Sequence, residues 1–451
     1  MRIIAKQLIV EKNDGFANDA FGRSSFGQSL LNLITHTSDG LVISLDARWG
    51  EGKTTFVKMW QGMLAEKGLP SIYIDAFQDD YANDAFLSLA SHITAYAREH
   101  SEFADAAEFK AKAAKILIHL LSWSGKVGAK ALTLGLIGNA EVESLSKIED
   151  DIADSAASAV EKIFLDKLSS SQQDAALVSS FRETLSTLPS KLRNNEGNRL
   201  VVIIDELDRC KPTYAVDVLE RIKHLFAVPN ITFVLVMNKE QLEGALKSVY
   251  GPNLDARTYL QKFVTVEATL PKRTKDAGAV CDLEVYARKL YSMHELNAWG
   301  DKDVLISSIS LLAKAFDLSL RQLERVFTNV TLVYSVSDEH AYRLPVLISF
   351  LCILKVVEPP LFQQLASGRL SYEKLTLDVQ DRWPNLFNSA ELRIPRIFEV
   401  LKFALSNEHE FGNLHPEDGA RRFGDSLFRY NMDRKDIAPY LCQQLSMFSV
   451  Q

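Results

Sequence analysis

Short apolar runs alternate with segments of helical periodicity in two stretches of the chain. The runs that predict strands lie at residues 42–45, 72–74, 200–204, 231–237 and 263–270. Several of them are continuous and rich in Val and Ile, a pattern typical of parallel strands that are covered on both faces. The pattern therefore predicts an α/β fold with a parallel sheet, built from residues 1–78 and 199–270.

The periodicity outside these stretches is helical. We predict a large helical insertion at residues 79–198, a helical lid at 271–335 and a C-terminal helical domain at 336–451. Within the insertion, Leu145 and Ile148 recur at helical spacing beside acidic residues. This segment fits an interaction arm and a packed helical hairpin equally well.

Composition narrows the class of protein. The 451 residues suffice for two or three domains, and a hydrophobic fraction of 47% supports a sizeable core. The 51 Lys and Arg residues against 58 Asp and Glu give a net charge of −7, which argues against general binding to nucleic acid duplexes. A local nucleic-acid site stays possible but is not favoured. Four dispersed cysteines without a CxxC pair predict reduced thiols in a cytoplasmic protein.

Two apolar runs in the insertion, at residues 116–125 and 131–138, bear on membrane contact. Each is roughly half as long as a spanning helix, which needs about 20 apolar residues. We expect no spanning segment, while peripheral membrane association through residues 116–138 stays open. Residues 1–11 lack the apolar core of a signal peptide.

The sequence ARWGEGKTT after the first strand predicts a phosphate-binding loop. Gly50 and Gly52 allow the backbone to curl around phosphate oxygens, and the start of the following helix offers unpaired N–H groups. Lys53 is expected to reach the β- and γ-phosphates, and the Thr54 hydroxyl to coordinate Mg²⁺. The other candidates for nucleotide contact in this loop are Trp49, Glu51 and Thr55.

The strand at 200–204 ends in two carboxylates. Asp205 is expected to hold Mg²⁺ through water, and Glu206 to orient and polarise the attacking water. Asp208 is a reserve candidate for that base, or else a cap or an ion-pair partner. Arg209 fits a local ion pair, or a contact with the nucleotide of a neighbouring subunit.

Asn238 follows the next strand along the chain. A polar side chain there can reach the γ-phosphate or the lytic water, or it can cap the helix that follows.

Lys53, Thr54 and Asp205 together predict a site for a nucleoside triphosphate and its Mg²⁺ ion.

Two motifs, RWGEGKTTF at residues 48–56 and VVIIDELDRCKP at 201–212, resemble those of the KAP family of P-loop NTPases. FGRS at 21–24, which includes Arg23, resembles the family's entry motif near the nucleotide base. SLRQLER at 319–325 resembles its lid-helix motif, in which Arg321 would sense the phosphates. Further similar segments are IDAF at 74–77 and YLQKF at 259–263.

The resemblance implies ATP hydrolysis coupled to conformational change, with ATP and Mg²⁺ as cofactors and Glu206, Lys53 and Arg321 as catalytic residues. It also implies self-association and, by analogy, a place in mobile-element or phage-defence systems. Because the sequence shows no protease, nuclease or deaminase constellation, we expect any effector activity to lie on a separate effector or partner protein. The sequence departs from the family pattern at Ala47, where glycine is usual, and at Glu206 and Asn238, where aspartate is frequent.

Two other hypotheses stay open. A nucleotide-gated switch or scaffold with little turnover is supported by Ala47, because a methyl group there is costly if φ is positive. A nucleic-acid motor would need turnover stimulated by DNA or RNA, which the acidic balance does not lead us to expect.

Overall fold

A computed structural model provides the structure of the protein. It describes residues 1–3, 15–37, 39–82, 84–122, 158–193, 195, 197–273, 281–297, 300–337, 343–383, 395–427 and 434–447.

A five-stranded parallel sheet forms the centre of the first part of the chain. Its strands are β1 Leu41–Asp46, β2 Ser71–Asp75, β3 Leu200–Asp205, β4 Ile231–Met237 and β5 Val266–Thr269. They lie in the order β2-β3-β4-β1-β5, and every pairing is parallel. The predicted α/β fold is confirmed, although the last strand is shorter than the predicted run at 263–270.

Both faces of the sheet are covered, as the continuous apolar strands predict. On β3, Val202 and Ile204 enter one core, whereas Val201 and Ile203 enter the other. The helices of this part are α1 Ser24–Thr35, α2 Lys53–Glu66, α3 Ala76–Asp79, α4 Ala85–His100, α5 Phe103–Ser122, α6 Ser158–Lys191, α7 Pro212–Arg221, α8 Lys239–Tyr250 and α9 Ala256–Leu260.

The described part of the predicted insertion packs on the sheet domain. Phe109 of α5 lies 5.6 Å from Phe181 of α6, and Phe181 lies 5.5 Å from Phe226 after α7. All three rings are fully buried, so α5 and α6 extend the core that covers one face of the sheet. Residues 123–157, with most of the predicted membrane-contact segment and the pattern around Leu145, lie outside the described residues. In the portion that is described, no helix combines the length and apolar character needed to cross a membrane.

The helices after β5 surround a separate hydrophobic core. That core joins the predicted lid to the predicted C-terminal domain, because Phe327 of the lid and Phe350 of the next helix are both buried in it. The helices are α10 Asp282–Met293, α11 Lys302–Ala315, α12 Leu320–Val336, α13 Pro345–Val357, α14 Pro359–Ala366, α15 Tyr372–Arg382, α16 Pro395–Leu405, α17 Glu408–Gly412, α18 Gly419–Leu427 and α19 Arg434–Ser446.

A capping box fixes the start of α12, the helix that faces the sheet domain. The Ser319 side chain accepts a hydrogen bond from the Gln322 N–H, and the Gln322 side chain accepts one from the Ser319 N–H. This reciprocal pairing satisfies two donors that a helix start otherwise leaves unpaired. It also places Arg321 in the first turn of α12.

Candidate nucleotide site

The phosphate loop runs from the end of β1 to the start of α2. Gly50 and Gly52 have φ values of +80° and +81°, which residues other than glycine rarely adopt. A Cβ at Gly50 would lie 2.7 Å from the Arg321 Cβ, so this glycine also allows close contact with α12. Ala47 is not among the residues with positive φ, and its methyl group therefore causes no left-handed strain.

Lys53 lies at the start of α2 and turns its ammonium group back across the loop. Its Nζ donates hydrogen bonds to the carbonyl oxygens of Ala47, at 2.6 Å, and Arg48, at 3.4 Å. Burial lowers the pKa of Lys53, while the nearby carboxylates of Asp208 and Asp205 oppose that shift. The cation is thus held among acidic groups, at the position where the sequence predicts phosphate contact.

Asp205 lies at the end of β3 and is 1% exposed. Its carboxylate accepts hydrogen bonds from the Glu206 N–H at 2.8 Å and the Tyr73 hydroxyl at 3.0 Å. Burial raises the pKa of Asp205, and the neighbouring Thr54 side chain, the Glu206 N–H and the Tyr73 hydroxyl oppose the shift. Thr54 and Asp205, predicted as the metal residues, are therefore brought together. Tyr73 was not predicted, because in the sequence it is simply one residue of an apolar strand.

The donor chemistry at this point fits Mg²⁺. A hydroxyl and a carboxylate are hard oxygen ligands, and Mg²⁺ commonly binds one or two protein groups together with phosphates and water. Within the described residues, no group of three or more His, Cys, Asp or Glu side chains could hold a metal. Thr54 and Asp205 would thus hold Mg²⁺ jointly with a nucleotide rather than in a cage made of protein alone.

The turn after β3 carries the predicted base. Glu206 has φ +61°, and residues Leu207–Arg209 form a single 3₁₀ turn. The Glu206 Oε2 lies 2.5 Å from the Arg209 Nε, and the Asp208 carboxylate accepts a hydrogen bond from the Trp49 indole N–H. Burial raises the pKa of Glu206, which Arg209 opposes. The structure thus shows Arg209 in a local ion pair and Asp208 tied to the phosphate loop.

A cavity of about 210 Å³ lies between the phosphate loop, the turn after β3 and the first turn of α12. Its wall also includes residues of α2, of the segment before α1 and of α10. The predicted residues that line it are Arg23, Trp49, Gly50, Gly52, Lys53, Thr54, Thr55, Glu206 and Arg321. The lining residues that sequence reasoning missed are Asn18, Asp19, Ala20, Phe21, Phe56, Met59, Arg209, Tyr286, Lys289, Leu320 and Glu324. Of these, Arg209 was weighed in the sequence but not placed among the site residues.

Three predicted site residues do not line the cavity: Glu51, Asp205 and Asn238. Asp205 is buried and lies next to Thr54, which does line the cavity. The Glu51 carboxylate is 4% exposed and pairs with the Lys272 ammonium at 2.5 Å. Asn238 is 8% exposed and occupies the N-cap position of α8, but its side chain makes no capping hydrogen bond.

Arg23 connects the start of α1 with the loop and with the segment after β5. Its guanidinium donates to the backbone carbonyl oxygens of Glu51, at 3.1 Å, and Pro271, at 3.2 Å. It also lies over the Phe21 ring, 4.7 Å from the centroid. Arg23 therefore helps to shape the cavity wall, and burial lowers its pKa.

The lid contacts the loop through backbone and charge. The Arg321 N–H donates to the Gly50 carbonyl oxygen at 3.2 Å. The Arg48 guanidinium donates two hydrogen bonds to Asp317, at 2.7 and 2.8 Å. Nothing in the sequence around Asp317 indicates this pairing, because one aspartate between two helices is an ordinary loop residue.

A family model described as the KAP family P-loop domain matches residues 23–337. The chain belongs to the KAP family. The KAP match includes the loop, the carboxylate turn and α12, so this KAP protein is a nucleotide-binding P-loop NTPase.

Two further comparisons add no argument about the function of the KAP chain. The structure of the Aeropyrum pernix ORC2 protein in ADPNP–ADP complexes is similar over 94% of each chain, with 12% sequence identity and a TM-score of 0.35. So distant a similarity carries no argument about the ligand of this chain. A sequence comparison with curated proteins gave no match.

Proposed function

We propose that this KAP protein hydrolyses ATP and that its nucleotide state is coupled to the position of the lid. The observation that carries the proposal is the convergence of Lys53, Thr54, Asp205 and Glu206 at one edge of the sheet. The Thr54 side chain lies close enough to the Asp205 carboxylate to lower its pKa, so the two motifs meet at this point. Hydrolysis of a phosphoanhydride needs this combination of a phosphate cradle, a metal-holding pair and a carboxylate base.

Each residue has a distinct role in this proposal. The N-terminus of α2 offers unpaired N–H groups to the phosphates, and Lys53 neutralises charge on the β- and γ-phosphates. Thr54 and Asp205 would hold Mg²⁺, which supplies further charge neutralisation on the phosphates when bound. Glu206 accepts a proton from the attacking water, and Arg321 stabilises charge at the γ-phosphate.

The contacts between loop and lid support the coupling. Arg321 donates to Gly50 through its backbone, and Arg48 pairs with Asp317 before α12. A phosphate bound at Gly52 and Lys53 would contact the same short loop, because Gly52 lies two residues after Gly50 and Lys53 donates a hydrogen bond to the Arg48 carbonyl oxygen. Nucleotide binding and release would therefore act on both attachments of the lid.

The test compares wild type with Lys53→Ala and Glu206→Gln in phosphate release and in nucleotide binding. Lys53→Ala is expected to lose both, because it removes the cation that contacts the phosphates. Glu206→Gln is expected to keep binding and to slow hydrolysis by roughly 100- to 10,000-fold, the range typical of a general base. An unaltered hydrolysis rate in Glu206→Gln would defeat the assignment of the base.

The alternative of a nucleotide-gated switch with little turnover drew its support from Ala47. Because Ala47 has no positive φ, that support is removed. Light scattering with and without ATP and Mg²⁺, together with phosphate release, separates the two functions. Self-association, a separate effector protein and a role in phage defence stay predictions.

A further inference from the structure

The ion pair between Glu206 and Arg209 joins two residues of one short turn. The carboxylate Oε2 lies 2.5 Å from the guanidinium Nε, and both side chains are mostly buried, at 20% and 31% exposure. Both residues line the nucleotide cavity. The pair therefore lies where the attacking water is expected, rather than on the outer surface.

The surroundings of Glu206 make an uncompensated carboxylate unfavourable. Asp205, Asp208 and Asp75 all repel its negative charge, while Lys53, which also lines the cavity, attracts it. Its backbone has φ +61°, and a non-glycine residue in this region persists only when its neighbours hold it there. Arg209 supplies the counter-charge from within the same turn.

The turn itself is well anchored, so Arg209 starts from a fixed place. Leu207 is fully buried, and the Arg209 N–H donates to the Glu206 carbonyl oxygen at 3.1 Å. The Cys210 thiol donates to the same carbonyl oxygen at 3.6 Å. Because the backbone is held on both sides, the side chain of Arg209 can fix the direction of the Glu206 carboxylate.

We propose that Arg209 is a positioning residue, which acts within its own subunit by holding the Glu206 carboxylate toward the attacking water. This inference rests on the proposed function, since it assigns a partner to the predicted base. Without Arg209, repulsion from Asp205 and Asp208 drives the carboxylate into other rotamers. Nucleotide binding does not depend on Arg209, because the loop, Lys53 and Thr54 are unchanged.

The experiment measures steady-state phosphate release by wild type, Arg209→Ala and Arg209→Lys. A small displacement of a catalytic group can cost about 100-fold in rate, so we expect kcat of Arg209→Ala to fall roughly 10- to 100-fold. KM for ATP is expected to stay within a factor of about two because the phosphate-binding groups stay in place. Arg209→Lys keeps the positive charge and is expected to restore part of the rate.

Arg221→Ala is the matched control. Arg221 pairs with Asp217 at 2.8 Å on α7, and its side chain is 32% exposed, close to the 31% of Arg209. It does not line the cavity. Its loss removes a comparable ion pair near the same sheet, so the kcat of this variant is expected to equal that of wild type. Thermal melting of each variant verifies that the chain is folded.

A second measurement tests whether Arg209 acts through Glu206. In Glu206→Gln, the further change Arg209→Ala is expected to leave the residual rate unchanged, because the group that Arg209 positions is already absent. A further loss in that background would overturn the inference. So would a large rise in KM for ATP, or a loss in Arg221→Ala equal to that in Arg209→Ala.

Mixing experiments separate action within a subunit from action between subunits. If Arg209 acted on a neighbour's nucleotide, mixing Arg209→Ala with Glu206→Gln protein would restore turnover, and that result would overturn the inference. If wild type turns over ATP and Arg209→Ala does so equally fast, the inference is overturned but the proposed function is not. Absence of turnover in wild type would overturn the proposed function, and the inference with it.

Discussion

The phosphate loop contacts the sheet domain and the lid in different ways. Toward the sheet domain, Thr54 lies beside Asp205, which is 1% exposed and accepts hydrogen bonds from the Glu206 N–H and the Tyr73 hydroxyl. Toward the lid, Arg48 pairs with Asp317. The Arg48 side chain is 52% exposed and the Asp317 side chain is 71% exposed. Buried polar groups are costly to leave unpaired, whereas exposed ion pairs contribute little and exchange readily with water. The difference indicates a fixed side at Asp205 and an adjustable side at the lid.

Glu51 and Lys272 lie between these two extremes. Glu51 is buried, while the Lys272 side chain is 40% exposed and belongs to the segment that leads from β5 to the lid. The Arg48 guanidinium also lies 3.7 Å from the Glu51 carboxylate. Four charges of alternating sign therefore lie in a row, in the order Lys272, Glu51, Arg48 and Asp317. They connect the phosphate loop with the segment after β5 and with the segment before α12.

The largest expected effect is on the fixed side. Asp205→Asn keeps the shape of the side chain but removes the charge that would hold Mg²⁺. We expect the apparent Mg²⁺ affinity in the presence of ATP to fall at least roughly 10- to 100-fold, as measured by Mg²⁺ titration of phosphate release. Asp217→Asn is the control, because Asp217 is a partly buried carboxylate that pairs with Arg221 on α7 and does not line the cavity. The same Mg²⁺ dependence in Asp205→Asn and wild type would contradict the assignment.

The next effect tests the backbone contact between loop and lid. Gly50→Ala places a Cβ at 2.7 Å from the Arg321 Cβ, in addition to its positive φ. Gly368 has φ +67° and open space around it, so Gly368→Ala measures backbone strain alone. We expect that strain to lower the free energy of unfolding by about 1–2 kcal/mol. Denaturant unfolding is expected to show a larger loss for Gly50→Ala than for Gly368→Ala. An equal loss in the free energy of unfolding for the two variants would show that α12 does not pack closely against the loop at Gly50.

A smaller effect is expected from the exposed ion pair. A double-mutant cycle on Arg48→Ala and Asp317→Ala is expected to give a coupling below about 1 kcal/mol that weakens with salt. Hydrogen bonding from Arg48 lowers the pKa of Asp317, so the stabilisation is present above the ordinary Asp pKa. It is lost as the pH falls through the lowered value, which thermal melting at decreasing pH would follow. A coupling energy that does not change with salt or pH would contradict the interpretation of this ion pair as an exposed, adjustable contact.

The smallest effect is spectroscopic. Trp49 is 44% exposed, lines the cavity and donates its indole N–H to Asp208. Nucleotide binding is expected to shift its emission to shorter wavelength, because a bound ligand excludes water from the ring. Trp49→Phe should abolish the shift while binding itself is retained. A shift that persists in Trp49→Phe would have to arise from another tryptophan and would remove Trp49 from the site.

Much of the sheet domain could be predicted from local sequence. The strands at 42–45, 200–204 and 231–237 are continuous apolar runs, and such runs pair only where both faces are covered. The loop and the carboxylate turn follow two of these strands, so parallel pairing brought Lys53, Thr54 and Asp205 together as predicted. Tyr73 and Asp317 could not be predicted, because each acquires its role from a partner more than 100 residues away.

The sequence by itself determined the parallel sheet, the phosphate loop and the presence of two carboxylates after β3, because glycine placement and apolar periodicity are local properties. The tertiary structure alone decided that Glu51 pairs with Lys272 and that Arg48 pairs with Asp317. It also decided that the lid and the C-terminal helices share one core. These outcomes depend on which charged and apolar side chains meet across distant segments, and the minimum free energy of that arrangement is not encoded in any one stretch of the chain.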